Sequence, residues 1–397
     1  MAIELIQSKT GAIIDGTAAR KVDLSKGSTN SEVSRQWWNR PEDERYTSLE
    51  ELQAAVSARR ERSFDETISL ADLQFAPDGR DVVIEHKDGL SLGFTNWSMR
   101  QLCSSIGAPM AFLAKLPAPL VAANLQAAAI ISDDSGMQYV ERLGDGIGQV
   151  RAFTSASYGR IHDADVVSQV SKIAGNGGWK VPGTMKFGSG VYDPKTPVTK
   201  DTTTLFASDR DVFAFLVDDT NPIEVGTDRH GDPDLMFRGF IVSNSEVGAG
   251  RFRLATMYLR AVCQNRILWG VENFNEVSIR HNSRASDRFY DEIMPALDAY
   301  AGVDPASVVK GVTAAKQLTV AKDNETEEQI GFLVDMGFSR KVAAEVIVSA
   351  EECEGHKPST AWDFAQGLTA RAQSAAHQDE RFEMEQAAGK ILEKAAA

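Results

Sequence analysis

Three apolar runs, residues 212–217, 237–242 and 252–258, constrain this chain more than any other feature. Each is short, rich in Val, Phe, Ile and Leu, and bounded by polar or glycine-containing segments. That pattern suits a buried strand and is too short for a core helix. Residues 228–234 form the polar loop between two of these runs. Upstream, Asp78-Gly79 and Asp88-Gly89 are turn dipeptides around Val82-Val83-Ile84, and residues 90–94 supply the next strand. Residues 137–143 and 149–153 alternate around Gly144-Asp145-Gly146 and read as a hairpin.

Helical signals surround these strands. Ser48-Leu49-Glu50-Glu51 is a capping box that opens a helix to about Arg60. Asn96 is expected to cap a second helix over 97–106, with Gly107 just past its end. Pro109 and Pro119 open two short helices, and apolar residues recur at helical spacing over 163–173. After Asp287 the pattern turns helical to the C-terminus, with Gly337 ending one helix and Ser339 capping the next. The last helix, 379–394, is amphipathic and should dock on the body or on a second copy in a homo-oligomer. The predicted class is α+β: an antiparallel-rich sheet body with packed helices and a helical, acidic C-terminal region. Its expected divisions are an N-terminal arm (1–45), a body (46–300) and the helical region (301–397).

The three cysteines, Cys103, Cys263 and Cys353, are odd in number and far apart, which argues against a disulfide framework. No Cys/His pairs stand at zinc-ligand spacing, so no metal and no cofactor are expected. Asp228, Asp232 and Asp234 gather carboxylates around Gly231, but their spacing is not that of a calcium loop. The start of the chain lacks a signal-peptide pattern, and no run approaches the roughly 18 apolar residues of a membrane span. The expected location is therefore the cytoplasm of a host cell. Trp37-Trp38 on the polar arm is read as docking onto the parent domain.

Net charge is −14, which on its face disfavours a passive phosphate binder. The charge is uneven, however. Residues 323–397 hold 15 acidic against 7 basic residues, a net of −8, whereas residues 251–290 hold 7 Arg against 3 acids, a net of +4. In that basic island Arg251, Arg253, Arg260, Arg266, Arg280 and Arg284 are bidentate phosphate donors, and Trp269 is among the aromatics that could stack bases. The bland alternative is a solvated strand face beside a core face. Asn244, Ser245 and Glu246 leave a strand just before Gly248 and, with Cys263, Asn265 and His281, form a candidate ligand site. Its bland alternative is a buried polar network tying a hairpin together. A thiol nucleophile at Cys263 with His281 and Glu246 is conceivable, although no glycine-flanked elbow surrounds it.

Several blocks occur in a characteristic order. They are Leu92-Gly93-Phe94-Thr95-Asn96-Trp97 running to Gly107-Ala108-Pro109, residues 150–155 with Tyr158, residues 244–248, Arg260 to Asn265, and Arg280-His281. Together, over roughly residues 90–300, they resemble the domain-of-unknown-function 932 family. The resemblance implies an association with phages, prophages and plasmids, near replication and recombination genes, and it brings no catalytic residues. The reading that follows is a non-enzymatic phage- or plasmid-encoded protein that binds single-stranded DNA. Its rivals are a nucleotide- or small-molecule-modifying enzyme using Glu246, Cys263 and His281, and a protein-interaction or host-takeover factor.

Overall fold

The computed structural model describes residues 41–79, 81–132, 134–182, 195–261, 266–267, 276–322, 325–375 and 378–396. Trp37-Trp38, Cys263, Asn265 and Trp269 lie outside the described residues, as does the side chain of Arg266. The chain is α+β, with two sheets in which antiparallel pairing dominates. Among the described residues, no helix is long and apolar enough to cross a membrane.

The chain enters through β1 (Arg45–Tyr46) and α1 (Leu49–Glu61), whose N-terminus is capped by Ser48 accepting from the Glu51 amide at 3.1 Å. An N-terminal sheet follows, built from β2 (Ser63–Ser69), β3 (Phe75–Asp78), β4 (Asp81–Glu85), β5 (Ser91–Phe94), β6 (Ser135–Gly144) and β7 (Ile147–Ser155). Its order is β2-β6-β7-β5-β4-β3, antiparallel except for β5 on β7. Between β5 and β6 run α2 (Asn96–Ser105), α3 (Met110–Leu113) and α4 (Ala118–Ile131). The cap of α2 is Thr95 rather than Asn96. Its hydroxyl accepts from the Ser98 amide and the Ser98 hydroxyl accepts from the Thr95 amide, both at 3.0 Å, so Asn96 takes the first helical position. Leu92, Phe94, Val140 and Val150 pack one face of this sheet against Met99, Leu102, Val121 and Leu125.

After α5 (Asp163–Gly177) the chain builds a central sheet from β8 (Leu205–Ala207), β9 (Val212–Thr227), β10 (Pro233–Asn244), β11 (Phe252–Arg260), β12 (Arg266–Ile267) and β13 (Glu276–Ile279). Its order is β1-β8-β9-β10-β11-β12, with β13 also paired to β11. Both faces are buried, which is why its strands read as continuous apolar runs rather than alternations. Phe213, Phe215, Phe237, Ile241 and Met257 form one apolar face. Ala214, Leu216, Phe240, Val242 and Tyr258 form the other, which meets the helices.

Those helices are α1, α5 and α6 (Ala285–Ala301), joined by α7 (Pro305–Gln317), α8 (Thr326–Asp335), α9 (Arg340–Glu354), α10 (Ala361–Gln373) and α11 (Gln378–Ala396). Ser339 caps α9, accepting from the Val342 amide at 3.3 Å. Val312, Leu333, Val346, Trp362, Leu368 and Leu392 of the C-terminal helices share one core with Leu216, Phe240 and Tyr258 of the sheet.

Candidate functional site

Where β10 leaves the central sheet, residues 244–249 cross to the second face of the N-terminal sheet. Val247 packs there with Tyr139, Ala152 and Trp97. Trp97 Nε1 and Gln101 Nε2 each donate to the Val247 carbonyl at 2.9 Å. Gly248 has φ +84°, a left-handed conformation that other residues adopt at a cost. The turn is thus pinned by the N-terminal sheet and by α2.

The polar side chains meet inside this junction. Tyr139 pairs with Ala152 and Val140 with Val150, so Arg151 is the extra residue of a β-bulge in β7. Bulges re-aim side chains, and here the Arg151 guanidinium reaches the Glu246 carboxylate and lies 5.2 Å from the Tyr139 ring. The second oxygen of Glu246 accepts from the Asp163 amide at 3.1 Å. Arg160 donates to the Glu246 carbonyl, pairs with Asp65 at 2.8 Å and covers the Tyr139 ring at 4.2 Å. Asn244 Nδ2 donates to Asp163 Oδ1 at 2.7 Å and to the Ile161 carbonyl at 2.9 Å. Ser245 Oγ donates to the Arg210 carbonyl at 2.6 Å.

Burial works against charge on both acids of the junction, but their neighbours differ. Arg151 overcomes that cost at Glu246 and holds its carboxyl below the usual range. At Asp163, burial and then the Glu246 charge both act upward, and its pKa lies well above the usual range. Their surroundings therefore shift the two carboxyls in opposite directions. Burial also pushes the Tyr139 hydroxyl up to about 12. Among the described residues, several buried polar atoms here have no hydrogen-bond partner: Asp163 Oδ2, Asn244 Oδ1, Arg160 Nη2, and all three guanidinium nitrogens of Arg210.

Asn244, Ser245 and Glu246 are thus brought together, and His281 adjoins them. Its ring stacks on Tyr158 at 5.1 Å, Nδ1 lies 3.2 Å from the Gly159 carbonyl, and Tyr158 donates to the Ser245 carbonyl at 3.3 Å. A Cβ on Gly159 would lie 1.8 Å from the Asn282 carbonyl oxygen, so the two backbones touch. Burial pushes His281 down to about 4. In the unfolded chain a histidine titrates near about 6.5. Below that value the unfolded state takes up the proton first, so stability present above it is lost as pH falls towards 4. His281→Gln is expected to flatten this stretch of the pH–stability profile, measured by urea denaturation at several pH values; an unchanged slope refutes the assignment.

The arginines divide into separate groups. Arg253 sits opposite Ser278, and Arg251 and Arg280 lie one residue beyond the Phe252–Ile279 pair at the same end of the β11–β13 ladder. Arg284 follows two residues after Asn282, whose carboxamide oxygen accepts the Arg284 amide at 3.1 Å. Arg251, Arg280 and Arg284 are exposed and make no ion pair among the described residues. Arg260, in contrast, is buried at the far end of β11, paired twice with Asp234 at 2.8 Å and once with Glu354. Arg288 pairs with Glu292 on its own helix. The Asp228 carboxylate accepts the His230 and Asp232 amides at 2.8 and 3.0 Å, closing its own turn.

Sequence patterning did not single out Arg151, Arg160, Asp163 or Arg210 as site residues. Two local signals existed: Asp163 opens a helix, and Arg210 lies in a Ser-Asp-Arg-Asp turn between two apolar runs. Comparison with protein families places the junction in context. Residues 152–301 match the family described as Domain of unknown function (DUF932). The DUF932 span contains Tyr158, Arg160, Asp163, Arg210, Asn244, Glu246 and the exposed arginines, while the 92–109 block lies outside it. No curated protein and no solved structure matches the chain.

Proposed function

We propose that this protein binds single-stranded nucleic acid across the exposed arginine end of the β11–β13 ladder, as a non-enzymatic component of phage or plasmid DNA replication or recombination. The observation that carries the reading is the placement of Arg251 and Arg280 at one end of one ladder, with Arg284 four residues further along the chain, all exposed and without ion pairs among the described residues. Guanidinium groups so placed are suited to backbone phosphates. An exposed aromatic, Tyr290, stands on the helix that begins beside Arg284, where a base could stack. The sequence resemblance to a family associated with mobile elements supports the cellular setting. Glu246 already has Arg151 and the Asp163 amide as partners, which favours binding over the rival in which it serves a nucleophile.

The test is fluorescence anisotropy with a labelled single-stranded oligonucleotide over a range of salt concentrations. Affinity should fall steeply with salt. Arg251→Ala/Arg280→Ala/Arg284→Ala should weaken binding by roughly tenfold or more at low salt, and should reduce the salt slope by about one unit for each phosphate that is no longer neutralised. Folded wild-type protein that fails to bind at low salt, or a triple variant that binds as well as wild type, overturns the reading.

A further inference from the structure

We propose that the turn between β8 and β9, with the first turn of α2, encloses a binding site for a phosphate group at Arg210. Arg210 is 3% exposed, yet Nε, Nη1 and Nη2 all lack a hydrogen-bond partner among the described residues. Isolated buried charge is among the most unfavourable things a fold can contain, and buried guanidinium groups are ordinarily paired. The carboxylates of the junction do not serve it. Glu246 is taken by Arg151, and Asp163 holds Asn244 and is pushed towards its neutral form.

The Arg210 side chain is aimed by its surroundings. Its amide donates to Ser208 Oγ at 3.0 Å and its carbonyl accepts from Ser245 Oγ at 2.6 Å, so the backbone is held on both sides. The guanidinium lies 5.9 Å from the Trp97 ring, at the start of α2. Beside Trp97 in the chain, Asn96 is 2% exposed and its Nδ2 also has no partner among the described residues. Unpaired donors on two neighbouring elements, with no carboxylate assigned to them, call for an acceptor that brings its own negative charge. A phosphate oxyanion meets the planar guanidinium fork bidentately and can take further donors on its remaining oxygens. The phosphate could be free or the terminal monoester of a nucleic-acid strand; the site itself does not depend on the surface reading above.

Differential scanning fluorimetry with inorganic phosphate, against chloride at matched ionic strength, tests the site. The wild-type melting temperature should rise with the logarithm of phosphate concentration, and Arg210→Met should abolish that rise while remaining folded, since it removes a charge without opening a cavity. A wild type that ignores phosphate, with Arg210→Met at least as stable, would mean a hydrated arginine only. A phosphate response equal in both proteins would place the anion elsewhere. Either result overturns the proposal. Competition by a 5′-phosphorylated oligonucleotide, but not its unphosphorylated form, identifies a strand end as the source; competition by neither leaves free phosphate. The Arg251/Arg280/Arg284 variant should keep the phosphate response, which separates failure of the surface reading from failure of this one.

Discussion

Arg260→Ala should lower the free energy of unfolding by about 3–5 kcal/mol, the range for removing one partner of a buried ion pair. Asp234, fully buried, would be deprived of both 2.8 Å hydrogen bonds, and Glu354 of α9 would be left without its partner as well. Lys316 lies 3.6 Å from Asp234, too remote to replace a bidentate fork, and it shares the Trp362 ring with Arg260, each at 5.1 Å. Urea denaturation of the two proteins measures the loss. The effect combines removal of a charge pair with weakened attachment of β11 to the C-terminal helices. Adding Asp234→Asn should therefore return part of the stability, because it removes the orphaned charge. A single variant within about 1 kcal/mol of wild type would show that the pair contributes no more than an exposed one.

The second large effect is at Glu246. Glu246→Ala should also cost about 3 kcal/mol, because Arg151, 1% exposed, would keep only the more distant Glu141 carboxylate at 3.7 Å. Asp163→Asn, in the same network, should behave oppositely. The sign follows from the two shifts. Glu246 titrates lower in the folded protein than its usual value of about 4.3, so its contribution is present above that pH and is lost as pH falls through the folded value. Asp163 titrates higher than its usual value of about 3.9, so folding becomes less favourable as pH rises from there towards its folded value. Removing the titration of Asp163 should thus make Asp163→Asn gain on wild type as pH rises above about 4, whereas Glu246→Ala stays destabilised there. Thermal denaturation at each pH decides it. A gain for Asp163→Asn that shrinks with rising pH would reverse the assignment of the two acids.

The elements were legible where their causes are local. Apolar runs at 212–217, 237–242 and 252–258 lie within β9, β10 and β11, and the Ser48 and Ser339 caps stand where their neighbours in sequence place them. The α2 cap was off by one residue because Thr95 and Asn96 are both competent caps, and only the reciprocal Thr95–Ser98 bonds decide between them. The junction was half legible. Asn244, Ser245 and Glu246 stand out as polar residues ending an apolar strand, but their partners Arg151 and Arg160 come from 95 and 86 residues away in the chain. Arg151 is further concealed by its bulge, since strict alternation along β7 gives no hint that an extra residue has turned inward. Arg260 shows the converse. In sequence it belongs with its basic neighbours, and only the long-range approach of Asp234 and Glu354 removes it from the surface.

The bare touch between Gly159 and Asn282 joins the arginine end of the ladder to the polar interior. With no side chain to act as a spacer, the two backbones are fitted like a hub and its bearing. Whatever displaces the loop ahead of α6 bears on the segment between β7 and α5 that carries Arg160, and through it on the Glu246 carbonyl that Arg160 holds.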